Sequence, residues 1–205
     1  MALLIGKKIG MTQLFDESGT VTPVTVIEAG PCSIVQVKTP EKEGYAAIQI
    51  GFIDAKESRT TSPMAGHYRK AGVKPQRILR EFRVDDTSEF EVGGAVDVKV
   101  FEGVAKVHVT ATSKGRGFAG TVKRHNFQVG RLTHGNKSHR EPGSVGNCAT
   151  PSRIWKGKRL AGRLGGVTRT VKNLSVVQID PENNLIFIKG AVPGANNGVV
   201  FIRTA

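Results

Sequence analysis

Strand-forming apolar residues lie at the two ends of this 205-residue chain, and a long segment that is poor in them separates the two ends. Val, Ile, Leu and Phe concentrate in residues 1–110 and 171–203, whereas residues 112–172 hold 11 of the 25 glycines. A core forms where apolar area can leave water. The chain must therefore build its core from both ends, with the middle segment as an insertion.

The same middle segment, which we call the arm, carries the whole net charge. Residues 112–172 contain 14 Lys and Arg and a single acid, Glu141, which accounts for the formal charge of +13. The other 144 residues contain 16 basic and 16 acidic side chains. A neutral folding unit that carries a basic, glycine-rich arm indicates a polyanionic partner.

Nucleic acid fits the arm better than a membrane does. A membrane-binding basic helix has an apolar face at helical spacing, and the arm has none. No apolar run approaches the ~20 residues of a membrane span, and no signal or transit peptide is recognisable. Cys32 and Cys148 cannot form a disulfide framework, which favours a reducing compartment. We expect a cytoplasmic protein without membrane contacts.

Turn residues divide both ends of the chain into short β-branched runs, which predict strands. The predicted strands cover residues 22–28, 33–38, 45–52, 78–84, 95–100, 106–110, 174–179, 185–189 and 199–203. Residues 54–76 are predicted to be an irregular excursion with one helical turn near 64–70. Many short strands predict a mainly β fold, a barrel or a sandwich. Residues 1–111 and 172–205 would form the globular domain, and 112–171 an inserted extension.

Cations, glycines and rings alternate along the arm in a way that suits nucleic acid. Lys and Arg neutralise phosphates, glycines allow close backbone approach, and Arg, His and aromatic rings stack on bases. Phe118 and Phe127 are further candidate stackers. The predicted binding residues are Lys114, Arg116, Lys123, Arg124, His125, Arg131, His134, Lys137, His139 and Arg140 on the ingoing limb, and Arg153, Trp155, Lys156, Lys158, Arg159 and Arg163 on the returning limb.

One glycine motif in the arm resembles a nucleotide-binding loop. Residues 115–122 spell G-x-G-x-x-G-x-V, a pattern of protein kinases and, in part, of dinucleotide-binding folds. A dinucleotide-binding loop opens a helix. Lys123–Phe127 show no apolar helical face, and the chain has no D-F-G, so we expect no nucleotide site.

Metal binding and catalysis are also weakly supported. His125, His134, His139 and Cys148 have spacings that fit no compact zinc module. Ser138 and His139 are neighbours, but acids that would orient a base are nearly absent from the arm. The sequence therefore predicts no catalytic residue, no metal site, no cofactor and no small-molecule substrate.

Several segments match one known pattern in order along nearly the whole chain. They are residues 5–12, 23–28, 112–120, 123–127, 134–135, 138–140, 142–144, 156–162 and 189–194. The most diagnostic is T-S-K-G-R-G-F-A-G at 112–120 followed by K-R-H-N-F at 123–127. Together they resemble the bacterial form of the ribosomal protein L3 family.

This resemblance implies a closed β-barrel of the translation-factor type on the large ribosomal subunit. It also implies an extension that enters the large-subunit rRNA toward the peptidyl-transferase region, with residues 143–151 as its tip. The implied role is structural: support of early subunit assembly and of the catalytic RNA. The partners would be large-subunit rRNA and neighbouring ribosomal proteins. Two functions of other classes stay open, an RNA-modifying enzyme with a barrel guide domain and a non-specific nucleic-acid chaperone.

Two positions depart from the family pattern. His125 stands where the family usually has Trp in the K-R-x-N-F motif, which implies a weaker stacking contact there. Ala149 precedes Thr150-Pro151 where many bacterial relatives carry a modifiable Gln. Glutamine methylation at that position is therefore excluded.

Overall fold

The computed structural model describes residues 3–205, which contain twelve strands and five short helices. The strands are β1 (Leu3–Phe15), β2 (Val21–Ala29), β3 (Cys32–Lys38), β4 (Ala47–Asp54), β5 (Gln76–Arg83), β6 (Ala95–Val96), β7 (Lys106–Thr112), β8 (Phe118–Ala119), β9 (Gly162–Arg163), β10 (Thr168–Asp180), β11 (Leu185–Lys189) and β12 (Val199–Thr204). The α-helices are α1 (Pro40–Glu43), α2 (Ser62–Ala71) and α3 (Thr121–His125), and the 3₁₀-helices are Glu57–Arg59 and Val98–Phe101.

Six strands from both ends of the chain close into an antiparallel barrel in the order β1-β12-β7-β10-β11-β2. Side chains alternate between the interior and the outside, as β7 shows: Val107, Val109 and Ala111 are buried, and the residues between them are not. Ile186 and Ile202 on neighbouring strands are fully buried with them. The predicted mainly β fold with a closed barrel is confirmed.

A second sheet, in the order β5-β4-β3-β6, shares its core with the barrel. Ile48, Ile50 and Phe52 of β4 belong to the same buried cluster as Ile5 and Ile202 of the barrel. One hydrophobic core therefore holds both sheets together, and it contains the apolar residues of both ends of the chain.

The predicted strand over 95–100 is wrong beyond its first two residues. β6 ends at Val96, and the chain continues into the 3₁₀-helix Val98–Phe101. A 3₁₀-helix has three residues per turn, so residues three apart share one side. Val98 and Phe101 are both fully buried, which is the burial that this spacing allows.

The predicted single helical turn near 64–70 is a ten-residue helix, α2. Pro63 stands in its first turn, where a missing N–H costs nothing, and Gly72 ends it in the left-handed conformation at φ 67°. Its one buried side chain is Tyr68, whose hydroxyl donates to the Gln76 carbonyl at 2.8 Å. The glycines at 66 and 72 concealed the helix in the sequence.

The chain divides into two compact units, one of residues 1–112 and 168–205 and the other of residues 113–167. β10 begins at Thr168, within the predicted arm, because Thr168–Val171 continue the antiparallel ladder with β7. None of the helices within residues 3–205 is long and apolar enough to cross a membrane.

Candidate nucleic-acid interface

The unit formed by residues 113–167, called the extension below, begins as a two-limbed stem. Main-chain hydrogen bonds link Ser113 N to Val167 O at 2.9 Å, Arg116 N to Leu164 O at 2.8 Å and Leu164 N to Gly117 O at 2.8 Å. Beyond them β8 and β9 pair, with Phe118 opposite Arg163. The ingoing and returning limbs are therefore held side by side mainly by main-chain hydrogen bonds.

Two basic residues of α3 join the limbs further along. Arg124 Nη1 donates to the Leu160 carbonyl at 2.6 Å, and His125 Nε2 lies 3.1 Å from the same oxygen. A carbonyl only accepts, so the His125 proton in this contact is on Nε2. The arrangement, which we call the Leu160 clamp, was not foreseen in the sequence because a main-chain carbonyl acceptor leaves no residue signature.

Residues 130–141 form a compact loop with its own polar contacts. Gly130 N donates to the His139 carbonyl, and His139 Nδ1 donates to the Arg131 carbonyl, both at 2.9 Å. Ser138 Oγ donates to Glu141 Oε2 at 3.1 Å. The single acid of the extension thus takes part in a local turn.

All sixteen predicted binding residues lie in the extension, and thirteen of them are exposed. The three half-buried ones are Arg124, His125 and His139, which donate to main-chain carbonyls. The Arg153 guanidinium lies 5.2 Å from the centre of the Trp155 ring, which is within cation–π distance.

The extension has almost no apolar interior. Its buried residues are Ala119 and Thr121. Large apolar side chains stand in solvent instead, with exposed fractions of 80% for Phe118, 77% for Leu132 and 61% for Trp155. Twelve Lys and Arg and one Glu share this unit. These like charges repel one another, and no apolar core offsets the repulsion. The extension therefore suits a polyanion, which would supply opposite charge and stacking surfaces.

A short helix follows the glycine motif at 115–120, since α3 begins at Thr121 with Gly120 as its N-cap. α3 has five residues, and Thr121 is its one buried residue. Gly117 and Ala119 belong instead to the stem, where they pair with Leu164 and Gly162. Of the three glycines in the motif, Gly117 is the one with a positive φ, +67°, a conformation that favours glycine at this point of the stem.

Potential metal ligands are not gathered into a site in the described residues. Within residues 3–205, no group of three or more His, Cys, Asp or Glu is arranged to hold a metal ion. Cys148 is exposed, and Cys32 is buried with its Sγ 3.4 Å from the Ile5 carbonyl. Burial raises the pKa of the Cys32 thiol to about 12, and this outweighs the opposing effect of that hydrogen bond.

The fold defines the class of the protein: a closed antiparallel barrel that is interrupted between two adjacent strands by a basic extension with little core. The family described as Ribosomal protein L3 matches residues 83–184. The chain is 54% identical over 205 residues to the large ribosomal subunit protein uL3 of Thermotoga petrophila, covering 100% of this chain and 98% of the relative. It is 52% identical over 203 residues to the uL3 of Acidothermus cellulolyticus, covering 98% and 91%. The chain belongs to the ribosomal protein L3 family.

Proposed function

We propose that this protein is a structural constituent of the large ribosomal subunit, located with the ribosome in the cytoplasm. It binds large-subunit rRNA directly and has no catalytic role of its own. The observation that carries the proposal is the composition of the extension: twelve cations and one acid in a unit whose buried residues are Ala119 and Thr121. Its membership of the L3 family supports the choice of rRNA as the polyanion.

The two compact units have separate tasks in this proposal. The globular domain, predicted as residues 1–111 with 172–205, docks on the subunit surface against rRNA and neighbouring ribosomal proteins. The extension, predicted as 112–171, enters folded rRNA toward the peptidyl-transferase region and supports early assembly. The exposed cations neutralise phosphates, while Trp155, Phe118 and Phe127 are stacking candidates.

The pairing of β7 with β10 offers a way to remove the extension. Thr112 on β7 is paired with Thr168 on β10, so an Asn-Gly pair in place of residues 113–167 would join the two strands through a two-residue hairpin turn. This shortened chain is the control for the full chain, and its thermal unfolding shows whether the barrel remains folded.

Filter binding to a large-subunit rRNA transcript over a salt series tests the proposal. Engagement of ~6–10 phosphates predicts a slope of log affinity against log salt of about −5 to −9, somewhat shallower for single strands. The shortened chain should lose most of that slope. Equal slopes for the two chains would refute a binding role for the extension.

Two further measurements separate the proposal from its alternatives. Co-sedimentation with large subunits is expected for the full chain, and recovery only in the ribosome-free fraction would exclude a ribosomal role. Competition with poly(U) distinguishes a non-specific chaperone, for which poly(U) would displace the rRNA transcript at equal nucleotide concentration.

A further inference from the structure

A polar and aromatic pocket lies outside the extension, where the edge strand β5 of the second sheet meets the outer surface of the barrel. Its volume is about 320 Å³. That size is at the small end of the ~300–1,000 Å³ typical of small-ligand sites, and it suits a single nucleotide better than a helix. Its lining residues are Arg80, Glu81, Phe82, Thr110, Thr170, Phe201, Ile202 and Arg203.

The barrel register brings these residues together from distant parts of the chain. Phe201 of β12 is paired with Thr110 of β7, which is paired in turn with Thr170 of β10, so the three side chains form one row across the barrel surface. Arg203, two residues after Phe201, lies on the same face. β5 lies beside this row and has no strand partner on its other edge among the described residues.

The pocket has an aromatic platform with a guanidinium over it. The Phe82 and Phe201 rings are 6.2 Å apart in an edge-to-face arrangement, and the Arg80 guanidinium lies 5.6 Å from the centre of the Phe201 ring. Both aromatic rings are half-buried, while Arg80 and Arg203 are exposed. Aromatic rings and arginine planes are the surfaces on which proteins stack unpaired bases.

Charge and hydroxyl groups complete a set of nucleotide contacts. Arg80 and Arg203 can pair with a phosphate, since a guanidinium fork matches its oxygens. The Thr110 and Thr170 hydroxyls lie 2.8 Å apart and form a hydrogen bond with each other. Either hydroxyl can instead form a hydrogen bond with a ribose 2′-hydroxyl, which both donates and accepts. Glu81 is the only acid among the described lining residues, and its carboxylate is bound by Lys38 at 2.6 Å and by Tyr45 at 2.9 Å.

We propose that this pocket binds one unstacked nucleotide of single-stranded RNA, with the base against Phe201 and Arg80 and the phosphate at Arg203. The site is distinct from the extension. It rests on the proposed function only in taking large-subunit rRNA as the source of the nucleotide. The Arg203 guanidinium complements a phosphate, and the stacking surface of Phe201 and Arg80 favours RNA over an acidic protein segment.

Three full-length variants test the site by filter binding to a large-subunit rRNA transcript. Phe201→Leu keeps apolar volume and removes the ring, and Arg203→Gln removes one cation. The matched control is Arg77→Gln, the same charge change on the same strand as Arg80, at an exposed residue outside this pocket. Thermal unfolding by circular dichroism verifies that each variant is folded.

We expect Phe201→Leu to weaken rRNA binding by roughly 5-fold to 150-fold, the range for loss of one base–aromatic stack. Arg203→Gln should reduce the salt slope by about 0.7, which is one single-strand phosphate contact, and Arg77→Gln should leave it unchanged. Ultraviolet crosslinking of the wild-type complex should place nucleotide adducts on the tryptic peptide of residues 190–203, which contains Phe201.

Three results would overturn the site. One is adducts confined to peptides of residues 113–167, and a second is identical binding by the Phe201→Leu, Arg203→Gln and Arg77→Gln variants. The third is unchanged rRNA affinity with weakened binding to other large-subunit proteins, which would make the pocket a protein contact. In each of these cases the wild-type chain would still bind rRNA. If the proposed function itself were wrong, the wild-type chain would show no specific rRNA binding.

Discussion

Thr112 on β7 lies directly opposite Thr168 on β10, so the extension leaves and re-enters the barrel at a single rung of one strand pair. The barrel therefore closes with all of its strand pairings intact, and the insertion occupies the place of a hairpin turn. The entropy of closing a loop grows only slowly with its length, so the barrel can carry a long insertion at little cost.

Gly165 allows the two limbs of the stem to approach, and we expect Gly165→Ala to open the stem. Its φ is +73°, and a Cβ there would overlap the Lys114 carbonyl oxygen. The strained backbone alone costs about 1–3 kcal/mol. Amide hydrogen exchange in residues 113–119 and 162–167 should accelerate, and the rRNA salt slope should fall.

Gly115→Ala is the matched control for that change. A Cβ at Gly115 would meet nothing within 4 Å, and the residue lies in the segment that faces Gly165. We expect its exchange pattern to match the wild type. Equal acceleration in both variants would contradict the close-approach explanation.

Arg124→Gln should loosen the extension in addition to removing a charge, because Arg124 Nη1 donates to the Leu160 carbonyl. Lys123→Gln removes the same charge from the adjacent, exposed position. We expect both variants to weaken rRNA binding, and only Arg124→Gln to increase protease cleavage near residue 160. Similar cleavage of the two variants would contradict the structural role of Arg124 and leave it only a phosphate contact.

The Lys38–Glu81 pair predicts a pH window of stability. The hydrogen bond from Lys38 and then that from Tyr45 lower the pKa of Glu81, and the hydrogen bond to Glu81 raises the pKa of Lys38. The stabilisation that Glu81 contributes to the folded state is present above its unfolded pKa of about 4.3. It is lost as the pH falls through the lowered pKa of the folded state. The Lys38 contribution is present below about 10.4 and is lost as the pH rises through the raised folded value.

Glu81→Gln should therefore lower the melting temperature within that window and converge with the wild type in acid. Glu89→Gln, at an exposed loop position, serves as the control and should have little effect at any pH. The side chains of Lys38 and Glu81 are 15% and 37% exposed, so added salt should shrink the difference. A difference that is independent of pH would assign Glu81 a packing role.

Ile186→Ala tests the shared core. Ile186 is fully buried in the barrel, so the truncation should lower the free energy of unfolding by about 2–5 kcal/mol. Ile9→Ala, at a residue that is 46% exposed, should change it by less than about 1 kcal/mol. Urea unfolding should be followed by far-ultraviolet circular dichroism because the single tryptophan lies in the extension.

Thiol labelling distinguishes the two cysteines. Cys148 is exposed and Cys32 is buried, and burial raises the pKa of Cys32 to about 12, so little thiolate forms at neutral pH. The folded chain should react rapidly at one thiol with an aromatic disulfide reagent, and at two after unfolding in urea. Rapid reaction of both thiols in the folded chain would show that the core around Cys32 opens.

Local patterns in the sequence were sufficient for most strands and for the position of the insertion. Alternating β-branched residues marked β2, β3, β7 and β11, and the charge segregation marked the extension. The pattern predicted a strand at Val98–Phe101, where the two buried residues are three apart as in a 3₁₀-helix. It also predicted too short a helix at α2, because glycines interrupt the helical pattern there. The assignment of individual arm residues to RNA stays a prediction.

The sequence by itself determined that a neutral, strand-rich core forms from the two ends of the chain and that a basic, glycine-rich segment lies outside it. Charge and hydrophobicity are properties of each residue, so their distribution can be read along the chain. Only the tertiary structure decided the order β1-β12-β7-β10-β11-β2, the Leu160 clamp and the meeting of Arg80 with Phe201. These depend on strand register and on main-chain acceptors far away in sequence, and neither leaves a local signature.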